Sequence, residues 1–290
     1  MSTESDESFC ASSEAIHHHY DIDNEFYRLW LDPDMVYSSA LWDNSESLQE
    51  AQIEKLDYHI RNLGLDRSSH VLDVGCGWGA MLNRLVGTCD VESVVGLTLS
   101  EYQLAWINEN FIIDKRIEVK LESWEEHIPK KPYDAIVSIG SLEHFARSGL
   151  CSTKKVEAYR SFFKRCHGWL NVNGMISLQA IVYERDWTIE GYNEFLTKEI
   201  LPESDLPFIH EIVSSIDGLF EIVELRNDRT HYVRTLRAWL KLLRKNRSKA
   251  VALVGEGTVG DYEKYFQLSM YAFQSARYNL TRITLRKINI

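Results

Sequence analysis

The decapeptide VLDVGCGWGA, Val71 to Ala80, joins an apolar run to three glycines at alternate positions, Gly75, Gly77 and Gly79. Lacking a Cβ, each lets the backbone turn sharply and bring amide N–H groups close to a ligand where a helix begins. A turn of this kind also serves dinucleotides, whose pattern asks for a further glycine in the sixth place. That place is Ala80 here, and the next apolar run, VVGLTLS, ends without an acidic residue to hold a ribose. The two departures favour S-adenosylmethionine over a nicotinamide cofactor, so methyl transfer is the chemistry to be explained.

Two downstream groups suit that chemistry. Ser123-Trp124-Glu125 offers an indole face to cover adenine and a carboxylate to accept from its amino group. Glu143, in SIGSLEHF, follows another apolar run and projects over the carboxyl edge of a sheet, where ligands of α/β proteins bind. His144 beside it is either a base or a ring that packs and fixes the loop. Transfer from a sulfonium needs little acid–base help to activate the donor, so the protein must chiefly align the nucleophile and exclude water. Plain structural roles compete at several positions: Leu99 and Ile139 as core, Thr98 as a helix cap, Trp124 as a buried aromatic.

These residues need a scaffold, and the pattern supplies one. Leu48, Ile53, Leu56, Ile60 and Leu63 recur at helical spacing before the first strand. Strands and helices then alternate: VLDV, a helix from about Ala80, SVVGLT, a helix through Tyr102 and Ile107, IEVKL, AIVSIG, a helix through Val156 and Phe163, and MISLQAI. This order predicts a parallel sheet with helices on both faces. The pattern lapses after Ile181 and resumes as a strand at FEIVEL, which marks about 182–219 as a substrate lid. Helices over about His231 to Lys249 and Asp261 to Tyr278 and a last strand, LTRITLRKI, complete the chain. Residues 1–15 read as a disordered acidic tail, and 16–290 as a single domain carrying the lid.

The segments HYDIDNEFYRLWLDPDMVYSS, LQEAQIEKLD, VLDVGCGWGA, VVGLTLSEYQ, SWE, SIGSLEHF and HYVRTLRAWL together resemble the cyclopropane fatty acid synthases and mycolic acid methyltransferases. The resemblance runs through most of the chain. It implies a class I methyltransferase fold, Rossmann-like, with a mostly parallel seven-stranded sheet and an antiparallel last strand. It implies S-adenosyl-L-methionine bound by Tyr37, Ser38, Gly75, Gly77, Thr98, Leu99, Gln103, Trp124, Glu125 and Ile139, with S-adenosyl-L-homocysteine as product. In cyclopropane-forming relatives a bound bicarbonate removes a proton so that the ring closes, and the resemblance carries its site onto Ser39 (main chain), Ile139 (main chain), Glu143, Gln179 and Tyr232. The family commonly has Cys where this chain has Ser39, and His where it has Gln179. A glutamine donates a hydrogen bond but neither takes up nor relays a proton, which favours plain methylation of carbon or a heteroatom over ring formation. Cyclopropane formation on an unsaturated acyl chain and N-methylation of a small amine are the rival activities. A non-catalytic partner protein that only binds the cofactor is the rival from outside enzymology.

Composition narrows the setting. The 290 residues, 44% of them apolar, can bury a sizeable core. Five cysteines without a CxxC pair read as reduced thiols in a cytoplasmic protein, and no metal-ligand spacing is present; His17, His18 and His19 belong to a loop motif. The net charge of −11 is divided: residues 1–47 hold 11 acidic and 1 basic residue, whereas residues 229–290 hold 13 basic and 3 acidic. Residues 232–249 form a basic amphipathic helix, with Tyr232, Leu236, Trp239, Leu240 and Leu243 on one face and Arg234, Arg237, Lys241, Arg244, Lys245 and Arg247 around the other. Beyond packing, such a face suits an acidic carrier protein or an anionic membrane surface presenting a small-molecule or acyl substrate. Nothing in the sequence supports a nucleic-acid partner.

Overall fold

The structure is a computed structural model that describes Cys10 and residues 23–110, 114–185 and 205–289. Apart from Cys10, the expected tail lies outside the described residues, as does half of the expected lid, 186–204. The elements in order are α1 (Asn24–Arg28), α2 (Leu48–Arg61), β1 (His70–Val74), α3 (Ala80–Thr88), β2 (Ser93–Thr98), α4 (Glu101–Asn110), β3 (Ile117–Leu121), β4 (Tyr133–Ile139), α5 (Ser152–Trp169), β5 (Leu170–Tyr183), α6 (Ile209–Ile216), β6 (Phe220–Asn227), α7 (Arg229–Lys245), α8 (Arg247–Gln274) and β7 (Tyr278–Lys287). A single 3-10 turn, Leu142–His144, follows β4.

The seven strands lie in the order β3-β2-β1-β4-β5-β7-β6. Pairings from β3 through β5 are parallel, and β7 runs antiparallel between β5 and β6. This is the class I methyltransferase arrangement. Strands β1, β2 and β4 are buried almost throughout, which explains their nearly continuous apolar runs, whereas β3 at the sheet edge is only partly covered. One core packs α5 and α6 against the sheet through Phe162, Phe163 and Ile212; another packs α2 and α3 through Leu56, Leu82 and Leu85. A third, rich in aromatic rings, gathers Phe26, Tyr27 and Trp30 of the N-terminal segment with Trp239, Tyr262 and Phe266 of α7 and α8.

Local chemistry sets the element ends. Ser47 and Glu50 form a reciprocal capping box that starts α2, and Arg84 of α3 grips Asp57 of α2 through two hydrogen bonds of 2.8 Å. Three boundaries differ from those the pattern predicts. Strand β5 begins at Leu170, ahead of the expected Met175, because the chain passes from α5 straight into extended backbone. Helix α7 ends at Lys245, and α8 starts at Arg247 and is broken at Gly255, whose φ of 84° no helix contains. Tyr278, expected to close a helix, opens β7 instead. Within the apolar lapse a short helix, α6, stands where no element is expected, its Ile212 and Ile216 in the core.

Candidate functional site

The strands β3, β2, β1 and β4 end side by side, and the loops after them wall a cavity of about 550 Å³. That size falls within the ~300–1,000 Å³ usual for small-molecule sites. Its wall includes Tyr37, Ser38, Gly75, Gly77, Thr98, Leu99, Gln103, Trp124, Glu125 and Ile139, together with His144. All the residues expected to bind the cofactor are therefore brought together. Ser39, Glu143, Gln179 and Tyr232 do not border the cavity.

The glycine turn is built by steric need at Gly75, where φ is +81° and a Cβ would meet Ser141 Oγ at 2.0 Å. Its first amides do not face a ligand as the sequence suggests: those of Gly75 and Cys76 both donate to the Leu97 carbonyl, at 3.0 and 2.9 Å, extending the pairing of β1 with β2. Among the amides left for a ligand are the first ones of α3, which begins at Ala80. At the end of β2, Thr98 Oγ1 donates to Gln103 Oε1 at 2.7 Å and fixes that side chain at the cavity wall. The capping role open to Thr98 falls to Ser100, whose Oγ accepts from the Gln103 amide at 3.3 Å. Trp124 is buried, tilted against Phe145 and edge-on to Phe162 at 5.3 Å each, so its indole is both core and cavity wall.

Glu143 and His144 occupy the turn after β4, both buried. Burial pushes the Glu143 carboxyl up to about 7, and Oε1 accepts from the Ile181 amide at 2.7 Å while Oε2 has no hydrogen-bond partner. Burial brings His144 down to about 4, so its ring is neutral at physiological pH. Gln179 Nε2 donates to the Ser39 carbonyl at 3.4 Å, leaving Oε1 without a partner. Tyr232 packs on Phe273 at 4.7 Å within the aromatic core.

The expected anion set holds donors as well as acceptors: Gln179 Nε2 and the buried Arg282 guanidinium both donate to the Ser39 carbonyl at 3.4 Å, while Glu143 Oε2 and Gln179 Oε1 have no hydrogen-bond partner among the described residues. No step is routed through bicarbonate. The cavity does fit S-adenosylmethionine: an aromatic face with an adjacent carboxylate at one end, a glycine turn and helix N-terminus at the other, and a buried ammonium in the wall.

That ammonium is Lys55, which the sequence reading missed along with the buried Asp73. The signal for it is a run of polar residues, Gln52, Lys55 and His59, on the face of α2 that also carries Leu56 and Ile60; all are buried. Gln52 Nε2 donates to the carbonyls of Val36 and Ser38, at 3.2 and 2.9 Å, and so holds the loop bearing Tyr37 and Ser38 at the cavity. Beside it, Arg282 of β7 forms a buried ion pair with Asp228 and donates to the Ala40 carbonyl at 3.2 Å. Among the described residues no cluster of ligating side chains could hold a metal ion, and no helix is long and apolar enough to cross a membrane.

Comparison with known proteins agrees with this geometry. A family profile described as mycolic acid cyclopropane synthetase matches residues 8–283. Cyclopropane mycolic acid synthase 2 of Mycobacterium leprae is 34% identical, with 94% of each chain covered. The structure of the cyclopropane synthase MmaA2 from Mycobacterium tuberculosis superposes with a TM-score of 0.88 at 31% identity, covering 97% of this chain and 100% of that one. That of the mycolic acid cyclopropane synthase CmaA1, complexed with SAH and CTAB, gives 0.87 at 32% identity, covering 96% and 99%.

Proposed function

The chain belongs to the mycolic acid cyclopropane synthetase family and is an S-adenosylmethionine-dependent methyltransferase, and from that premise we propose that it methylates an unsaturated carbon of a long acyl chain. The observation that carries the reading is the gathering of Tyr37, Ser38, Thr98, Gln103, Trp124 and Glu125 around one cavity at the carboxyl edge of the sheet. S-adenosylmethionine, when bound, supplies an electrophilic methyl. Trp124 and Glu125 would hold adenine, Thr98 and Gln103 the middle of the ligand, and Gly75 and Ser38 the amino-acid end.

Glu143 is the proposed proton acceptor. As the methyl joins one alkene carbon, positive charge develops on its neighbour, and a proton must leave. Oε2 of Glu143 is unpartnered, and a carboxyl brought to about 7 is matched to that task near neutrality. Proton loss from the chain gives a methylated alkene; loss from the transferred methyl closes a ring. Gln179 supports the first outcome, because the amide there relays no proton. Ser39 and Tyr232 are assigned positioning roles, Ser39 through the carbonyl that holds Gln179 and Tyr232 through the aromatic core, and neutral His144 is assigned to fixing the turn.

The acyl chain is proposed to arrive on an acidic carrier docking at the exposed Arg237, Lys241 and Lys245 of α7, past the lid at about 182–219, an insertion within one proposed domain of residues 16–290. The test is release of S-adenosylhomocysteine with matched acyl substrates. Turnover with an unsaturated chain and none with its saturated counterpart supports the reading; turnover with small amines alone replaces it with N-methylation, and turnover with neither leaves a cofactor-binding partner protein.

A further inference from the structure

We propose that Lys55 is the anion receptor of the cavity, its ammonium pairing with the carboxylate of the methionine half of S-adenosylmethionine. The assignment rests on the cofactor reading above and deepens it. Lys55 is 1% exposed, and a buried ammonium is costly unless it is paired. Its Nζ makes one hydrogen bond among the described residues, to Ser38 Oγ at 2.9 Å, which leaves two N–H donors for a ligand. It borders the cavity together with Ser38, Asp73 and Gly75.

Strand order places it at the amino-acid end. Trp124 and Glu125 follow β3 at the edge of the sheet, Thr98 ends β2, and Gly75 follows β1. A ligand with adenine at Trp124 and its middle at Thr98 therefore brings its carboxylate to the Gly75 and Ser38 side, where Lys55 stands.

The charged groups around Lys55 come from three sides: Arg282 on β7, Asp73 on β1 and Asp32 in the loop after α1, with His59 one turn along α2. Burial, aided by Arg282, brings Lys55 down to about 7; burial pushes Asp73 up to about 7 and Asp32 up to about 6. Asp32 and Asp73 act on the ammonium through space without an ion-pair contact. A ligand carboxylate on Nζ favours the charged form, so above pH 7 binding takes up a proton.

The test is calorimetric binding of S-adenosylhomocysteine and of its decarboxylated analogue, which keeps the amine, to the full chain and to Lys55→Gln and Lys55→Arg. Lys55→Gln is expected to weaken S-adenosylhomocysteine about 30-fold, roughly 2 kcal/mol, and the analogue by less than about threefold. Lys55→Arg should recover most of the loss. Proton uptake, read at pH 8 from two buffers of different ionisation enthalpy, should accompany S-adenosylhomocysteine and vanish with the analogue. That last comparison needs only the unsubstituted chain, and it decides even where Lys55→Gln does not fold. Equal losses for both ligands, or proton uptake indifferent to the carboxylate, would make Lys55 a prop for the Ser38 loop and overturn the assignment alone. Failure of the unsubstituted chain to bind S-adenosylhomocysteine would overturn the cofactor reading as well.

Discussion

Alanine at Gly75 puts the architecture of the cofactor turn to a quantitative test, because Gly77 two residues on provides an internal reference. At Gly75 the backbone has φ +81°, and a Cβ would lie 2.0 Å from Ser141 Oγ and 3.0 Å from its Cβ. The left-handed conformation costs an alanine about 1–2 kcal/mol. Ser141 must also rotate away and give up its 3.0 Å bond to the Val74 carbonyl, worth about 0.5–1.5 kcal/mol. Gly75→Ala should therefore cost about 2–3 kcal/mol of stability, and Gly77→Ala, with φ +55° and open space around its Cβ, about 1–2 kcal/mol. Urea unfolding of both variants measures the two costs. Since Ser141 also borders the cavity, its displacement should weaken S-adenosylhomocysteine binding more than about tenfold, roughly 1.4 kcal/mol, in the first variant. Equal destabilisation by the two substitutions, or a Gly75→Ala chain with unchanged binding, would refute the steric argument.

Glu143→Gln should abolish proton acceptance yet stabilise the fold at high pH. The folded carboxyl is raised to about 7, so its stability contribution is complete below the unfolded pKa and is lost as pH rises through about 7. The glutamine chain, which has no such loss, should be more stable than the parent at pH 8 by about 2–3 kcal/mol in chemical denaturation. Its turnover should fall at least about 100-fold, and product formation at the original rate would remove Glu143 from the chemistry. The parent's activity should rise with pH through about 7 as the carboxyl ionises, and a pH–rate profile flat over that window would contradict the assignment. Asp228→Asn should cost about 3–5 kcal/mol in urea unfolding, because it strands the fully buried Arg282 guanidinium. Glu125→Gln should leave stability unchanged within about 0.5 kcal/mol while lowering S-adenosylhomocysteine affinity, a separation that calorimetry beside unfolding resolves.

The alternation of strands and helices was legible because strands buried on both faces are mainly apolar, as VLDV and AIVSI are. The cavity-lining residues were legible because they cluster in short motifs at strand ends. What escaped is what depends on distant partners. Lys55 looks like a solvent charge on an amphipathic helix, and its burial follows only from the approach of Ser38 and Asp73. Arg282 sits in a strand of alternating character, and only the meeting of β7 with Asp228 and Ala40 makes it a buried ion pair. Helix α6 was hidden because it is short and amphipathic, flanked by a stretch with no period. How Glu143 and Gln179 spend their other atoms, on Ile181 and Ser39, no spacing reveals.

High-resolution mass spectrometry of acyl products formed with S-adenosylmethionine bearing a CD3 group reports directly on the transfer. With Glu143 as the proposed proton acceptor and glutamine at position 179, the expected product is an unsaturated acyl chain that gains the methyl with all three deuteriums retained. Loss of one deuterium would contradict plain methylation and place ring closure at this site, and acyl products free of label would contradict methyl transfer to the chain altogether.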